Sequence, residues 1–207
     1  MSAHAKPGDR VREPFADPGH QRDSAVLGIW TFLAQELVFF AALFSYYASQ
    51  RLRTPEAFAA GSRECDWRLG VAMTALLLTS GATVVIASRS AALQRRASLV
   101  AALGLTLAQG LGFLVIKAVE YREHLGHGQT PWVADPVGSF WSVYYVLTAF
   151  HALHVLAGLA VFAALIVAAL RRRVRSNTVL GCALYWHFVD VVWIFLFPLL
   201  YLIDPQP

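Results

Sequence analysis

Five apolar blocks divide this sequence, at residues 24–50, 69–88, 98–121, 140–170 and 179–203. At 1.5 Å of rise per residue, each is about long enough as a helix to cross a hydrocarbon core of roughly 30 Å. Inside lipid, backbone amides must be satisfied without water, which a helix does within its own segment. The expected fold is therefore all-α, a polytopic membrane protein with a bundle of five transmembrane helices. Composition agrees, since 57% of the 207 residues are hydrophobic and 14% are charged, too little polar surface to cover a soluble globule. The fourth block exceeds what a bilayer needs, which predicts tilt or projection beyond the surface.

Residues 1–23 hold three prolines and mixed charge and read as a polar cytoplasmic tail, with 24–207 as the membrane domain. The tail has no secretory h-region, so the first span is expected to act as its own uncleaved insertion signal. The tail and the second and fourth connections carry eleven Lys and Arg residues, and the opposite side carries five. The positive-inside rule then puts the N-terminus in the cytoplasm and the C-terminus outside. Lys117, the remaining base, lies near the outer end of the third span and is expected to snorkel outward. The formal charge of +4 is scattered between apolar blocks and needs no nucleic-acid partner to explain it.

Cys65 and Cys182 fall toward opposite membrane surfaces on this topology, so no disulfide is expected. Five spans without a matched pair of broken helices do not fit the inverted repeat of a secondary transporter. Gly104, Ala108 and Gly112 lie four apart on the third span, as do Ala160, Ala164 and Ala168 on the fourth, and both rows can offer small-residue faces for close packing.

Ionisable residues inside the spans are the candidates for function. Glu36 sits mid-way along the first span, and is either a hydrogen-bonded structural acid or a proton-handling or interface group. His151 and His154 are three apart on the fourth span, as are His187 and Asp190 on the fifth, which puts each pair on one helix face. Glu120, beside Tyr121, falls at the outer end of the third span. Buried polar groups normally pair with each other, so a network in which Asp190 orients an imidazole would satisfy these residues without a ligand. The sharper alternative is a copper or b-type haem site built on His151, His154 and His187. Two histidines three apart on one face cannot supply both axial ligands of one haem, and His4, His20, His124 and His127 lie outside the spans.

Four segments, in order, carry a family resemblance. The string Tyr185-Trp186-His187-Phe188-Val189-Asp190-Val191-Val192-Trp193 resembles the last-helix signature of cytochrome c oxidase subunit III. Upstream, Phe150-His151-Ala152-Leu153-His154-Val155-Leu156-Ala157-Gly158 resembles that family's FHxxHVxxG segment, and Glu120-Tyr121 its acid–tyrosine pair before the outer loop. Glu36-Leu37-Val38-Phe39-Phe40 resembles its first-span segment, whose glutamate is the carbodiimide-reactive one. The resemblance extends from about Gly28 to Ile203.

It implies a non-catalytic subunit of a haem–copper terminal oxidase in the bacterial cytoplasmic membrane, with respiratory electron transport coupled to proton pumping. Such a subunit binds no haem or copper itself; both reside in the partner subunit. It packs on catalytic subunit I, with subunit II as a further partner, and contacts phospholipid. Its attributed roles are support of proton uptake and protection of the active site, with Glu36 as the proton-related residue. The chain departs from the seven-helix form of the family, which has two further N-terminal helices, and carries Gln35 where a serine is usual. Five-helix relatives include subunit III of quinol oxidases and an accessory protein associated with nitric oxide reductase, so that accessory role is the alternative, with a small haem or copper enzyme as a third.

Overall fold

A computed structural model of the protein describes residues 18–132 and 137–204. The described residues form six α-helices: α1 (Pro18–Arg53), α2 (Pro55–Glu64), α3 (Trp67–Ala92), α4 (Arg96–Gly126), α5 (Gly138–Leu170) and α6 (Ser176–Tyr201). Five stretches are long and apolar enough to cross a membrane: Val26–Arg53, Trp67–Ala92, Arg96–Gly126, Gly138–Leu170 and Ser176–Tyr201. The molecule is thus an all-helical, multi-pass membrane protein. At 33 residues, α5 is about 50 Å long.

Most of the polar tail expected at residues 1–23 lies outside the described residues, yet α1 is already helical at Pro18, ahead of the apolar block. Proline is tolerated there because the first turn of a helix has no use for its amide hydrogen. Residues of α1 up to Phe39 form one unit, and Phe40 onward forms a second with α2–α6. In the first unit Val26, Leu27, Trp30, Leu37 and Val38 are exposed, as suits lipid-facing side chains.

The first two apolar blocks are joined not by a plain connection but through a further helix, since ten of residues 51–68 form α2. Pro55 starts it, and Phe58 is fully buried between the rings of Tyr47 and Phe140, edge-on at centroid distances of 5.3 and 5.5 Å. Gly61 lets the Phe140 ring lie directly on the α2 backbone. Asp66 then caps α3, its carboxylate accepting from the Arg68 amide at 2.8 Å. Pro198 lies inside α6 without ending it. The unpaired carbonyls that follow at the helix end are partly served by Tyr47, whose hydroxyl donates to the Leu199 carbonyl at 2.6 Å.

Helices α3 and α5 end alike. Gln94 and Arg172 adopt left-handed backbone angles, φ 57° and 55°. In each case the next amide, Arg95 or Arg173, reaches back to the carbonyl of Ser90 or Ala168 at 2.8 and 2.9 Å. These are Schellman turns in which the position that favours glycine holds a long polar side chain.

Helices α3 and α6 meet along an antiparallel seam. On α3 it runs through Gly70, Thr74, Leu77 and Gly81, and on α6 through Trp186, Asp190, Trp193 and Phe197, both with the 4-3-4 spacing of heptad packing. Small or hydroxyl-bearing residues of α3 face large or polar residues of α6, and a methyl at Gly70 would overlap the Phe197 ring. Of the rows expected to mediate close packing, Gly112 meets Leu76 of α3, but most of the other positions face away from the neighbouring helices. Ala108, Ala160 and Ala164 are exposed, and nothing lies within 4 Å of where a Gly104 side chain would start. Close approach occurs instead at Gly81, Gly110 and Gly158, where a neighbouring helix presents a bulky or charged group.

Candidate functional site

Trp186 and Trp193 are two turns apart and emerge from the same face of α6, both fully buried. The Trp186 indole donates to the Ser80 hydroxyl at 2.8 Å, and the Trp193 indole to the Thr74 hydroxyl at 3.0 Å. Each hydroxyl in turn donates within α3, Ser80 to the Leu77 carbonyl at 2.7 Å and Thr74 to the Gly70 carbonyl at 2.8 Å. A buried N–H without a partner would cost about 1–3 kcal/mol, so these bonds fix which faces of α3 and α6 meet. The Trp186 ring lies in a slot left by two glycines: a methyl at Gly158 would come within 2.6 Å of it, and one at Gly110 within 3.1 Å.

Between the two tryptophans lie His187 and Asp190. The His187 Nδ1 is 3.9 Å from Asp190 Oδ2, a loose ion-pair distance rather than a hydrogen bond. Asp190 is 5% exposed, whereas the His187 side chain is 41% exposed, so the acid faces the protein and the imidazole its edge. Gly81 makes room for them, because a methyl there would come 2.9 Å from Asp190 Oδ2. Asp190 Oδ1 is buried with no hydrogen-bond partner among the described residues.

The histidines of α5 lie apart from that pair. His151 is completely buried, with both ring nitrogens unpartnered among the described residues. Its ring lies 5.5 Å from Phe113 and 5.2 Å from Trp193, centroid to centroid. His154 is half-buried; its Nδ1 is 2.7 Å from the Phe150 carbonyl, and its own carbonyl accepts from the Tyr185 hydroxyl at 3.0 Å. Among the described residues no three His, Cys, Asp or Glu side chains converge as a metal site would need. Glu36 lies on α1 in the first unit and is half-buried.

The most extensive polar cluster surrounds Lys117. Contrary to the expectation that this side chain snorkels outward, the residue is 2% exposed. Its ammonium donates to Glu120 Oε2 at 3.0 Å, to the Tyr144 hydroxyl at 2.9 Å and to the Tyr201 hydroxyl at 2.8 Å, which uses all three donors. The Tyr201 hydroxyl donates to Glu120 at 2.7 Å, and His124 Nε2 lies 3.7 Å from the same carboxylate. Beyond it, His124 Nδ1 is 2.5 Å from Gln129 Oε1, and Gln129 donates to Glu64. Snorkelling loses because α4, α5 and α6 bring a carboxylate and two hydroxyls within hydrogen-bond distance of the ammonium. The signal was present as Lys117, Glu120 and His124 at i, i+3 and i+7 on one face of α4.

Glu120 and Tyr121, adjacent in sequence, point to different partners. Glu120 faces Lys117 and Tyr201, while the Tyr121 hydroxyl is 2.6 Å from the Thr148 hydroxyl on α5. Cys65, in the connection outside the spans, is buried near this cluster. Burial pushes its thiol well above the usual range and the Glu120 carboxylate adds to the effect, so it stays protonated and inert.

The family model for cytochrome c oxidase subunit III matches residues 20–204, nearly the whole chain. The chain belongs to the cytochrome c oxidase subunit III family. Similar proteins include the probable cytochrome c oxidase subunit 3 of Mycobacterium bovis, 33% identical over 184 residues, which are 86% of this chain and 87% of that protein. The Mycobacterium tuberculosis protein of the same description matches to the same extent. Cytochrome c oxidase subunit 3 of the carp Cyprinus carpio is 34% identical over 84% of this chain and 67% of its own length.

As a subunit III of a haem–copper oxidase, the chain is a membrane component of a respiratory terminal oxidase and associates with other oxidase subunits. The Tyr185–Trp193 string of α6 has a defined packing role. Its two tryptophans bond α3 and its aspartate is accommodated by Gly81, so in this chain the string packs α6 against α3.

Proposed function

We propose that this chain is the non-catalytic subunit III of a bacterial terminal oxidase, seated in the cytoplasmic membrane with its N-terminus inside. It packs on the catalytic subunit, contacts phospholipid, and supports proton uptake and active-site integrity there. The observation that carries this reading is how the polar side chains of α3–α6 are used. Trp186, Trp193, Lys117, Glu120 and Tyr201 are engaged with neighbouring helices of the same chain, as a scaffold requires. Haem and copper then belong to the partner subunit. Glu36 is the residue of this chain assigned to proton handling, on a stretch of α1 whose neighbours Leu37 and Val38 are exposed and free to face a partner or lipid.

The test is purification of the intact oxidase from wild-type cells and from cells carrying Glu36→Gln. The chain should co-purify with a large haem-containing subunit, and the variant should assemble normally yet alter proton pumping or inactivate at a different rate during turnover. Unchanged pumping, turnover and inactivation in a fully assembled variant would remove Glu36 from proton handling. Deletion that spares oxygen respiration but impairs denitrification would move the chain to a nitric oxide reductase.

A further inference from the structure

Thr79 of α3 and Gln109 of α4 bond to each other on the outside of the bundle, at the depth where a membrane helix normally shows only hydrocarbon. Thr79 stands at the middle of Trp67–Ala92, about 18–20 Å from either end of that helix. Its side chain is exposed and Gln109 is half-buried. The Gln109 amide donates to the Thr79 hydroxyl at 2.9 Å, and its oxygen accepts from the Thr83 hydroxyl at 3.2 Å. Neither threonine depends on the glutamine. Thr79 also donates to the Ala75 carbonyl at 2.7 Å, and Thr83 to the Ser80 carbonyl at 2.8 Å. The second amide hydrogen of Gln109 has no acceptor among the described residues, and hydrocarbon offers it none.

The surroundings let another helix approach closely. Ala75 and Ala82 flank Thr79 on the same face of α3 and are exposed. On α4, exposed Leu105 lies four residues before Gln109 and Gly112 three residues after it. Small residues beside a hydrogen-bonding side chain are what membrane helices use to choose partners, because apolar faces are matched equally well by lipid. Residues 69–88 and 97–116 hold no Asp, Glu, Lys, Arg or His, so recognition here runs through a neutral hydrogen bond rather than through charge. We propose that this α3–α4 face docks a transmembrane helix of another subunit of the complex, one that presents a hydroxyl or carboxamide oxygen at mid-membrane depth to the Gln109 amide. The proposal rests on the reading of the chain as an oxidase subunit and adds to it a partner-facing surface carried by helices other than α1.

The experiment places a benzophenone photocrosslinker at position 105 in place of Leu105, irradiates intact membranes, purifies the oxidase through its haem-containing subunit and maps the cross-linked peptide by mass spectrometry. The expected product joins position 105 to one transmembrane segment of another subunit, within a turn of a Ser, Thr, Asn or Gln. In a detergent-wash series Gln109→Leu should release the chain from the oxidase about three- to thirtyfold faster, and an apolar substitution of the partner residue should do the same without adding to it. The purified Gln109→Leu chain should melt at the wild-type temperature, because both threonines keep their carbonyl partners. Cross-links to lipid alone or to a second copy of this chain would overturn the proposal, as would wild-type retention of Gln109→Leu. A melting temperature that falls in step with retention would also overturn it, making the amide a tie between α3 and α4. A chain that co-purifies with no haem-containing subunit would instead overturn the oxidase reading, and this proposal with it.

Discussion

Lys117→Met tests the central electrostatic feature of this fold. In the wild type the Glu120 carboxylate, 2% exposed, is held by the Lys117 ammonium at 3.0 Å and the Tyr201 hydroxyl at 2.7 Å. Removing the ammonium leaves a buried carboxylate with one close donor, and removing one partner of a buried ion pair costs about 3–5 kcal/mol. Glu120→Leu should cost about as much, by stranding the ammonium between two hydroxyls. The double variant is different. With both charges gone no uncompensated ion remains, and an apolar pair of similar volume is often close to neutral. What persists is the pair of hydroxyls on Tyr144 and Tyr201, which bonded the same nitrogen and can turn to each other. The double variant should therefore lose less than about 3 kcal/mol against an additive expectation of roughly 6–10, a coupling of at least about 3 kcal/mol. Thermal unfolding of the purified chain in one mild detergent, followed by circular dichroism, reads this out. By the conversion for domains of this size, each single variant should lower Tm by about 6–20 °C. Single variants that add in the double variant, or single losses under about 1 kcal/mol, would show that the cluster does not hold the helices together.

Other perturbations follow from the same contacts. Gly158→Ala sets a methyl within 2.6 Å of the Trp186 ring and should destabilise by about 1–3 kcal/mol, whereas Gly104→Ala meets nothing within 4 Å and should be neutral or stabilising by up to about 1 kcal/mol; paired thermal melts compare them. Asp190→Ala empties the space beside Gly81 and removes the partner of His187, so loss of this subunit from the purified oxidase should precede any change in oxidase turnover, as a detergent-wash series would measure. In a Cys182→Ser background Cys65 should resist a thiol reagent at neutral pH until the protein unfolds, because its thiol is buried and held protonated; labelling as fast as in the denatured chain would contradict its placement.

The spans were legible in the sequence because a run of about twenty apolar residues has few alternatives in a lipid-soluble chain. Which face of each span turns inward was not. Lipid is as apolar as a protein core, so an inward leucine and an outward one look alike in sequence. That is why the Gly104-Ala108-Gly112 and Ala160-Ala164-Ala168 rows suggested packing faces, while the contacts form at Gly110 and Gly158. What distinguishes those glycines is a bulky partner opposite, Trp186, which is distant in sequence. Helix α2 was hidden for a different reason: Glu56, Arg63 and Glu64 give it the charge density of a loop, and its one apolar face, with Ala57 and Phe58, is too short to register. His187 and Asp190 were found as a pair because their spacing is local, whereas the Lys117 cluster needs Tyr144 and Tyr201 from two other helices.

The α3–α6 seam gives the Tyr185–Trp193 string a structural role. Hydrophobicity gives two membrane helices no reason to choose each other; close packing and buried hydrogen bonds do. Along α6 the large residues Trp186, Trp193 and Phe197 each need a small or hydroxyl-bearing counterpart on α3, and Ser80, Thr74 and Gly70 supply them in antiparallel order. Shifting either helix by one turn would set Trp186 against the wrong residues and strand two indole N–H groups, at about 1–3 kcal/mol each. Tyr201, one turn beyond Phe197 on α6, meets Lys117 and Glu120 of α4. The tryptophan bonds to α3 and the tyrosine contact with the α4 ion pair thus tie α6 to two neighbouring helices. The former fix which faces of α3 and α6 meet, and the latter gives the buried Lys117–Glu120 pair of α4 a hydroxyl partner on α6.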